Sequence, residues 1–98
     1  MNSPRPIGSR EHRLLELFVN CRLEMTPQQF YSKWAVSYAQ MAQLCRCDTV
    51  TVSRWFRRGC NYRPPRHYHK WYLALADIFL ESYEDIPNSL ILRLCLEL

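Results

Sequence analysis

Residues 37–59 have the sequence SYAQMAQLCRCDTVTVSRWFRRG, and they are the most informative part of the chain for predicting its fold. The pattern predicts two short helices, from about Tyr38 to Cys45 and from about Thr49 to Arg58, with a three-residue turn between them. Asp48 is a good N-cap for the second helix, because its carboxylate can accept hydrogen bonds from first-turn amides. Gly59 suits the left-handed position that closes a helix. The stretch therefore predicts a helix, a tight turn and a second helix.

The second of these helices has two different faces when its residues are placed about 100° apart. Its apolar side comprises Thr51, Val52, Trp55 and Phe56. That side is expected to pack on the preceding helix through Met41, Ala42 and Cys45. The opposite side is polar and basic and comprises Thr49, Val50, Ser53, Arg54, Arg57 and Arg58. One face is thus predicted to be buried and the other to be exposed.

The segments that precede this stretch are also predicted from local patterns. Residues 1–9 contain two prolines, a glycine and two serines, and they predict a flexible arm. A first helix is predicted from Arg10 to Met25, with one stripe of Leu14, Leu15, Phe18, Cys21 and Met25. A second helix should start at Thr26-Pro27-Gln28-Gln29, where Thr26 caps, Pro27 fits the first turn and Gln29 completes a capping box. It carries Phe30, Tyr31 and Trp34 and should end before Ser37.

The segments that follow predict two more helices. A long one is predicted from Arg66 to about Ser82, with a buried stripe of Tyr68, Trp71, Tyr72, Leu75 and Phe79. The leucines of residues 86–98 alternate as in a strand, but they also form a helical stripe, and leucine favours helix. The fold class predicted is all-α, a compact bundle of about five to six helices. Residues 10–98 form its single domain.

Charge is distributed unevenly along the 98-residue chain. The formal net charge is +4, but residues 25–76 hold eight Lys or Arg against one acid, Asp48. Residues 77–98 hold five acids and one Arg. The 28 residues from Thr49 to Ala76 contain no acid at all. A concentrated basic segment of this kind favours a polyanionic partner such as nucleic acid.

The run from Tyr38 to Trp55 resembles the helix-turn-helix of phage repressors, Cro and related bacterial regulators. Ala42 lies where that family keeps a small residue at the helix crossing, and Cys47 lies at the apolar turn position. Val52 and Trp55 occupy the inward positions of the recognition helix. Arg46 departs from the family, which usually has glycine at this point of the turn. The resemblance implies binding of double-stranded DNA and a small transcriptional regulator, with helix 49–58 in the major groove.

The resemblance also implies roles for individual side chains. Base edges would be contacted by Thr49, Val50, Ser53, Arg54 and Arg57, with arginine binding guanine O6 and N7. Backbone phosphates would be contacted by Tyr38, Gln40, Arg58, Arg63, Arg66 and Lys70, and Thr49 and Ser53 also suit such contacts. The family binds paired half-sites, so a homodimer is expected through the Leu-rich C-terminal segment or the N-terminal helix. Both segments can instead simply cover the core.

Other functions are less well supported by the residues. The spacing of Cys45, Cys47, Cys60, His67 and His69 is not typical of a zinc site, and no acid is placed to orient a cysteine–histidine pair. We therefore expect no enzyme activity, metal or cofactor. Two alternatives stay open: single-stranded DNA or RNA binding by Tyr62, Tyr68, Trp71 and Tyr72, and a protein-interaction module within a larger nucleoprotein complex.

The chain contains no apolar stretch long enough to cross a membrane and no segment typical of a signal peptide. Its five cysteines are an odd number, which suits reduced thiols better than a disulfide framework. The location expected from these features is the cytoplasm.

Overall fold

The structure is a computed structural model in which residues 3–94 are described. Within that range the chain forms six α-helices and two short 3₁₀ turns, and no strand. The helices are α1 (Ser9–Asn20), α2 (Pro27–Lys33), α3 (Tyr38–Cys45), α4 (Thr49–Trp55), α5 (His67–Glu81) and α6 (Asn88–Leu94). The predicted all-α class is confirmed. None of the helices in the described range is long and apolar enough to span a membrane.

The core is built by α2, α3, α4 and α5. Its buried members are Phe30, Met41, Ala42, Cys45, Val52, Trp55 and Leu73. Val52 and Trp55 of α4 therefore pack against the α3 side chains that the sequence predicts. The short helix α4, too short to be stable alone, takes its position from this packing.

Three helix starts are capped, those of α2 and α4 as the sequence predicts and that of α3 by a capping box that it did not predict. The Thr26 hydroxyl accepts from the Gln29 amide at 3.1 Å, and Gln29 Oε1 accepts from the Thr26 amide at 2.9 Å. Ser37 and Gln40 form the same reciprocal pair at the start of α3. At α4 the Asp48 carboxylate accepts from the Thr51 amide at 2.8 Å. Each cap satisfies amides that a helix start leaves free.

The turn between α3 and α4 keeps the geometry of a glycine-containing turn although it has no glycine. Arg46 follows α3 in the left-handed region, with φ 56° and ψ 45°. The Cys47 amide donates to the Ala42 carbonyl at 3.0 Å, and the Arg46 amide donates to the Gln43 carbonyl at 3.4 Å. This pair of bonds is the Schellman arrangement, which requires a left-handed residue.

Helix α4 is shorter than predicted, because it ends at Trp55 and not at Arg58. Its last carbonyls are taken by tertiary partners: Gln28 donates to the Trp55 carbonyl at 2.9 Å, and the Arg63 amide donates to the Arg54 carbonyl at 3.1 Å. The ring of Phe56, the residue after α4, packs against Tyr31 and Tyr38, with centroids 5.2 and 4.9 Å apart. Gly59 has the expected positive φ of 69°, but it begins a 3₁₀ turn and does not close α4.

The prediction for the first helix is wrong in its end, and the apolar stripe of the helix is exposed. Helix α1 stops at Asn20, so Cys21 and Met25 lie outside it. Every residue of α1 is exposed, and Phe18 and Val19 are 76% and 77% accessible. Met25 is fixed by a separate contact, its amide donating to the Lys70 carbonyl at 3.1 Å. Leu14, Leu15 and Phe18 thus do not cover the core of this chain.

The predicted stripe of α5 is also wrong in part. Tyr68 and Trp71 are 51% and 41% accessible, and the buried side chains are His69, Leu73 and Ala74. The buried face is shifted by about one residue from the predicted one, and His69 on it contacts buried Trp55 with tilted rings whose centroids are 4.9 Å apart. Within residues 86–98 the helix expected covers Asn88–Leu94, and residues 95–98 of that prediction lie outside the described part.

Candidate nucleic-acid interface

The exposed face of α4 carries small, uncharged residues, with Arg54 at its edge. Thr49 is exposed and Val50 is 52% accessible, so both side chains present themselves to solvent. Ser53 is half-buried, and its hydroxyl donates to the Val50 carbonyl at 2.8 Å. These three residues, all predicted to contact bases, are brought together on one helical face. Their methyl and hydroxyl groups suit direct contact with a groove floor.

Arg57 and Arg58 lie beyond α4, not on it. Both are exposed, and Arg58 has an extended backbone with φ −118° and ψ 160°. Their side chains therefore extend from the segment that follows α4. The helical wheel of the sequence instead predicts them on the polar face of the helix. The prediction that they belong to helix 49–58 is corrected by the early end of α4.

The residues predicted at the start of α3 are held by specific contacts. The ring of Tyr38 is half-buried and stacks on Phe56 with centroids 4.9 Å apart, and Tyr31 packs against both rings. Gln40 is exposed, but its Oε1 is already used by the Ser37 amide at 2.8 Å. Only its amide NH₂ group remains to donate to a ligand. The aromatic cluster fixes the start of α3 against the end of α4.

Arg54 lies at the edge of the small face of α4, next to Val50. It lines a cleft of about 430 Å³ between α4 and the start of α5, together with Arg63 and Arg66. We call the site formed by these three side chains the arginine cleft. The Arg63 guanidinium is held by its own loop, since its Nη1 donates to the carbonyls of Cys60 at 2.9 Å and Tyr62 at 2.8 Å. Arg54 is exposed and lies on the side of α4 that also carries Thr51.

His69 is a residue of this region that the sequence prediction did not select. It lines the arginine cleft and is 4% accessible. The Arg66 amide donates to its Nδ1 at 3.1 Å, so the imidazole proton is on Nε2. Burial lowers the pKa of His69 below its ordinary value of 6.5, and the charge of Arg66 lowers it further. Its position three residues after the N-cap Arg66 was the available signal.

The arginines of this surface form no ion pair among residues 3–94, although Asp48 is close enough to Arg54 for their charges to interact. The ion pairs in that range join Lys33 to Asp77 at 2.8 Å, Lys33 to Glu81 at 2.7 Å and His67 to Glu24 at 2.9 Å. The hydrogen bond from Lys33 holds the pKa of Asp77 below its usual range, and a second one from the Trp34 indole adds to this. The acids of α5 are thus neutralised locally. The arginines around α4 are therefore available to bind an anionic partner.

The remaining candidate residues of the basic segment are one lysine, Lys70, and two cysteines, Cys45 and Cys60. Lys70 is half-buried, and its carbonyl accepts from the Met25 amide. Cys45 is fully buried, and burial raises the pKa of its thiol to about 12, with a smaller contribution from Cys47. Cys60 is exposed on the 3₁₀ turn. In the described residues, no three His, Cys, Asp or Glu side chains come together as a metal-binding group.

Comparison with known proteins gives no relative on which to base a function. No family model, no curated protein and no solved structure matches the chain.

Proposed function

We propose that this chain binds double-stranded DNA in a sequence-specific way, as a small transcriptional regulator, with α4 in the major groove. The observation that carries the proposal is the exposed face of α4, uncharged at its centre and flanked by arginines that form no ion pair in residues 3–94. A duplex offers base edges for the centre of such a surface and phosphates for its rim. The resemblance of residues 38–55 to the helix-turn-helix of phage repressors agrees with this geometry.

The dimensions of α4 suit a groove. Seven residues make a helix about 10 Å long, and the major groove of B-DNA is about 12 Å wide. Val50 would contact a thymine methyl group, and Thr49 and Ser53 would hydrogen-bond to neighbouring base edges or phosphates. Arg57, leaving the end of the helix, is the candidate for a bidentate contact with guanine.

Phosphate contacts would surround this centre. Arg58 is exposed next to the end of α4, and Lys70 lies half-buried on α5. Tyr38 and Gln40 lie at the start of α3, where the free amides of a helix start favour an anion. Contacts of this kind position the protein on the duplex without distinguishing sequences.

A selection of duplexes from a random library tests the proposal directly. The chain should enrich one motif, and Arg57→Ala should lose preference at one position of it, by about 1–3 kcal/mol. Arg58→Ala should weaken all duplexes alike. Arg93→Ala removes the same charge from α6, outside the basic segment, and should change neither property.

A salt titration of the same complex gives the second measurement. Contacts with about five phosphates predict a log–log slope of about −4 to −5. A flat slope, or no duplex binding at low salt, would contradict DNA binding and favour the protein-interaction module.

Single-stranded DNA or RNA is a second candidate, which the exposure of two aromatic side chains favours. Tyr68 and Trp71 stand 51% and 41% accessible on α5, next to the basic loop. Exposed rings next to basic side chains can stack bases without reading sequence. In a competition assay this candidate predicts tighter binding of a single strand than of its duplex, and loss of that preference in Trp71→Ala. Duplex binding through α4 predicts the opposite order and no effect of Trp71→Ala.

A further inference from the structure

We propose that the arginine cleft is a binding site for one phosphate group, and that Arg54 binds the DNA backbone through it instead of reading a base. The proposal deepens the proposed function and depends on it for the source of the phosphate, a phosphodiester of the bound strand. The chemistry recognised is a tetrahedral phosphate oxyanion, which free inorganic phosphate shares.

The placement of Arg54 on α4 carries the first step. At about 100° per residue it lies some 40° from Val50 and 60° from Thr51, so it stands at the edge of the small face on the side of the cleft. Thr51, Arg54 and Trp55 all line that cleft, whereas Thr49, Val50 and Ser53 do not. Arg54 is therefore at the boundary of the groove-facing surface and on the side where α5 begins.

Convergence of charge carries the second step. Arg54 comes from α4, Arg63 from the loop and Arg66 from the N-cap of α5, yet all three line one cleft of about 430 Å³. Three arginines that line one cleft give it a positive potential, which attracts an anion. Asp48 is close enough to Arg54 for the two charges to interact, but its carboxylate is already engaged as the cap of α4.

The preorganisation of the cleft carries the third step. Two backbone carbonyls hold the Arg63 guanidinium, and Pro64 and Pro65 restrict the backbone that separates it from Arg66. Guanidinium groups match phosphate oxygens in geometry and bind them with two parallel hydrogen bonds. The Arg63 side chain and its loop therefore lose less conformational entropy when the anion binds.

The buried histidine adds a neutral donor. His69 accepts the Arg66 amide at Nδ1, so its proton is on Nε2. His69 also lines the cleft, beside Arg66. The cleft thus combines three cations with one neutral imidazole.

The first experiment uses inorganic phosphate, with dimethyl phosphate as the simplest phosphodiester, added to the isotope-labelled full chain. Arginine side-chain and backbone NMR resonances should shift and saturate, with the largest shifts at Arg54, Arg63 and Arg66. The saturable shift should disappear in Arg63→Ala and persist in Arg93→Ala. Shifts that rise without saturation, or that persist in Arg63→Ala, would overturn the proposal.

The second experiment measures duplex binding by Arg54→Ala. The backbone role predicts that all duplexes weaken by the same factor and that the log–log salt slope falls in magnitude by about 0.9. A loss of preference at one base pair would instead identify Arg54 as a base-reading residue and overturn the proposal.

The two arms separate this proposal from the proposed function. Saturable phosphate binding at the cleft without any duplex binding would keep the site, assign it to free phosphate and reject the DNA-binding function. Duplex binding that is unchanged in Arg54→Ala and Arg63→Ala would keep the DNA-binding function and reject the site.

Discussion

His69 makes the stability of the fold depend on pH. Burial and Arg66 lower its pKa below 6.5 in the folded chain, so the folded chain binds this proton less tightly than the unfolded chain does. The contribution to the free energy of unfolding is fully present above about pH 6.5 and falls as the pH decreases from there toward the lower pKa of the folded state. Urea unfolding followed by tryptophan fluorescence at about pH 7.5 and about pH 5.5 measures the difference.

A matched substitution isolates the histidine. His69→Gln keeps an acceptor for the Arg66 amide, because glutamine at this position of a helix start forms a capping box, and it does not titrate. In this variant the free energy of unfolding should decrease less between the two pH values than in the unmodified chain. In His12→Gln, on exposed α1, it should decrease by the full amount. An unchanged pH dependence in His69→Gln would show that other groups cause it.

Single residues could be predicted from sequence where the interaction is local. Asp48 and Thr26 cap amides three residues away, so their roles follow from spacing alone. Arg54 and His69 face a cleft whose walls come from α4, the loop and α5, and no local pattern encodes that meeting. The base-reading and phosphate roles of the remaining side chains stay predictions.

The turn between α3 and α4 is held together at a conformational cost. A non-glycine residue in the left-handed region costs roughly 1–2 kcal/mol, and Arg46 is in that region. Its guanidinium lies 5.3 Å from the centre of the Tyr72 ring, a contact that contributes about 0.5–1 kcal/mol at an exposed site. The cation–π contact offsets part of the backbone strain.

Two substitutions at this position separate the backbone from the side chain. Arg46→Gly and Arg46→Ala both remove the contact with Tyr72, but only alanine keeps the strain. We expect Arg46→Gly to exceed Arg46→Ala in free energy of unfolding by about 1 kcal/mol. Equal stabilities in chemical denaturation would contradict the left-handed geometry of the turn.

At the scale of elements, starts are more predictable than ends. The starts of α2, α3 and α4 lie within one residue of the predicted positions, because each cap depends on hydrogen bonds between residues only three positions apart. The end of α4 is set by Gln28, 27 residues away, and by Phe56 packing on tyrosines of other elements. The helical periodicity of the sequence predicts a helix that continues to Arg58, because periodicity takes no account of contacts with distant residues.

At the scale of the whole molecule, α1 is an amphipathic helix without a partner in the described chain. Among its apolar residues, Phe18 and Val19 are the most accessible. We propose that α1 pairs with α1 of a second copy, which would bring two DNA-binding surfaces together. Its length of 12 residues is marginal for an isolated helix, so pairing would also stabilise it.

Sedimentation at micromolar concentration, with and without duplex, tests the pairing. The chain should sediment as a dimer and Phe18→Asp as a monomer, because a buried unpaired carboxylate opposes association. Leu92→Asp on α6 is the matched control, since Leu92 is also exposed and apolar. Dissociation by Leu92→Asp alone would assign the interface to the C-terminal segment, and a monomer in every condition would end the dimer proposal.

The hydrogen bond from the Met25 amide to the Lys70 carbonyl marks where the chain joins its core. Every buried residue of the described chain comes after it, and Arg22 is exposed in the non-helical segment that precedes it. Trypsin should therefore cut after Arg22 early in a digest, and mass spectrometry should find a fragment that starts at Leu23 and resists further cleavage longer than the intact chain does. That fragment would keep the core, the caps and the arginine cleft while losing α1, so that self-association and ligand binding can be assayed separately in one natural sequence.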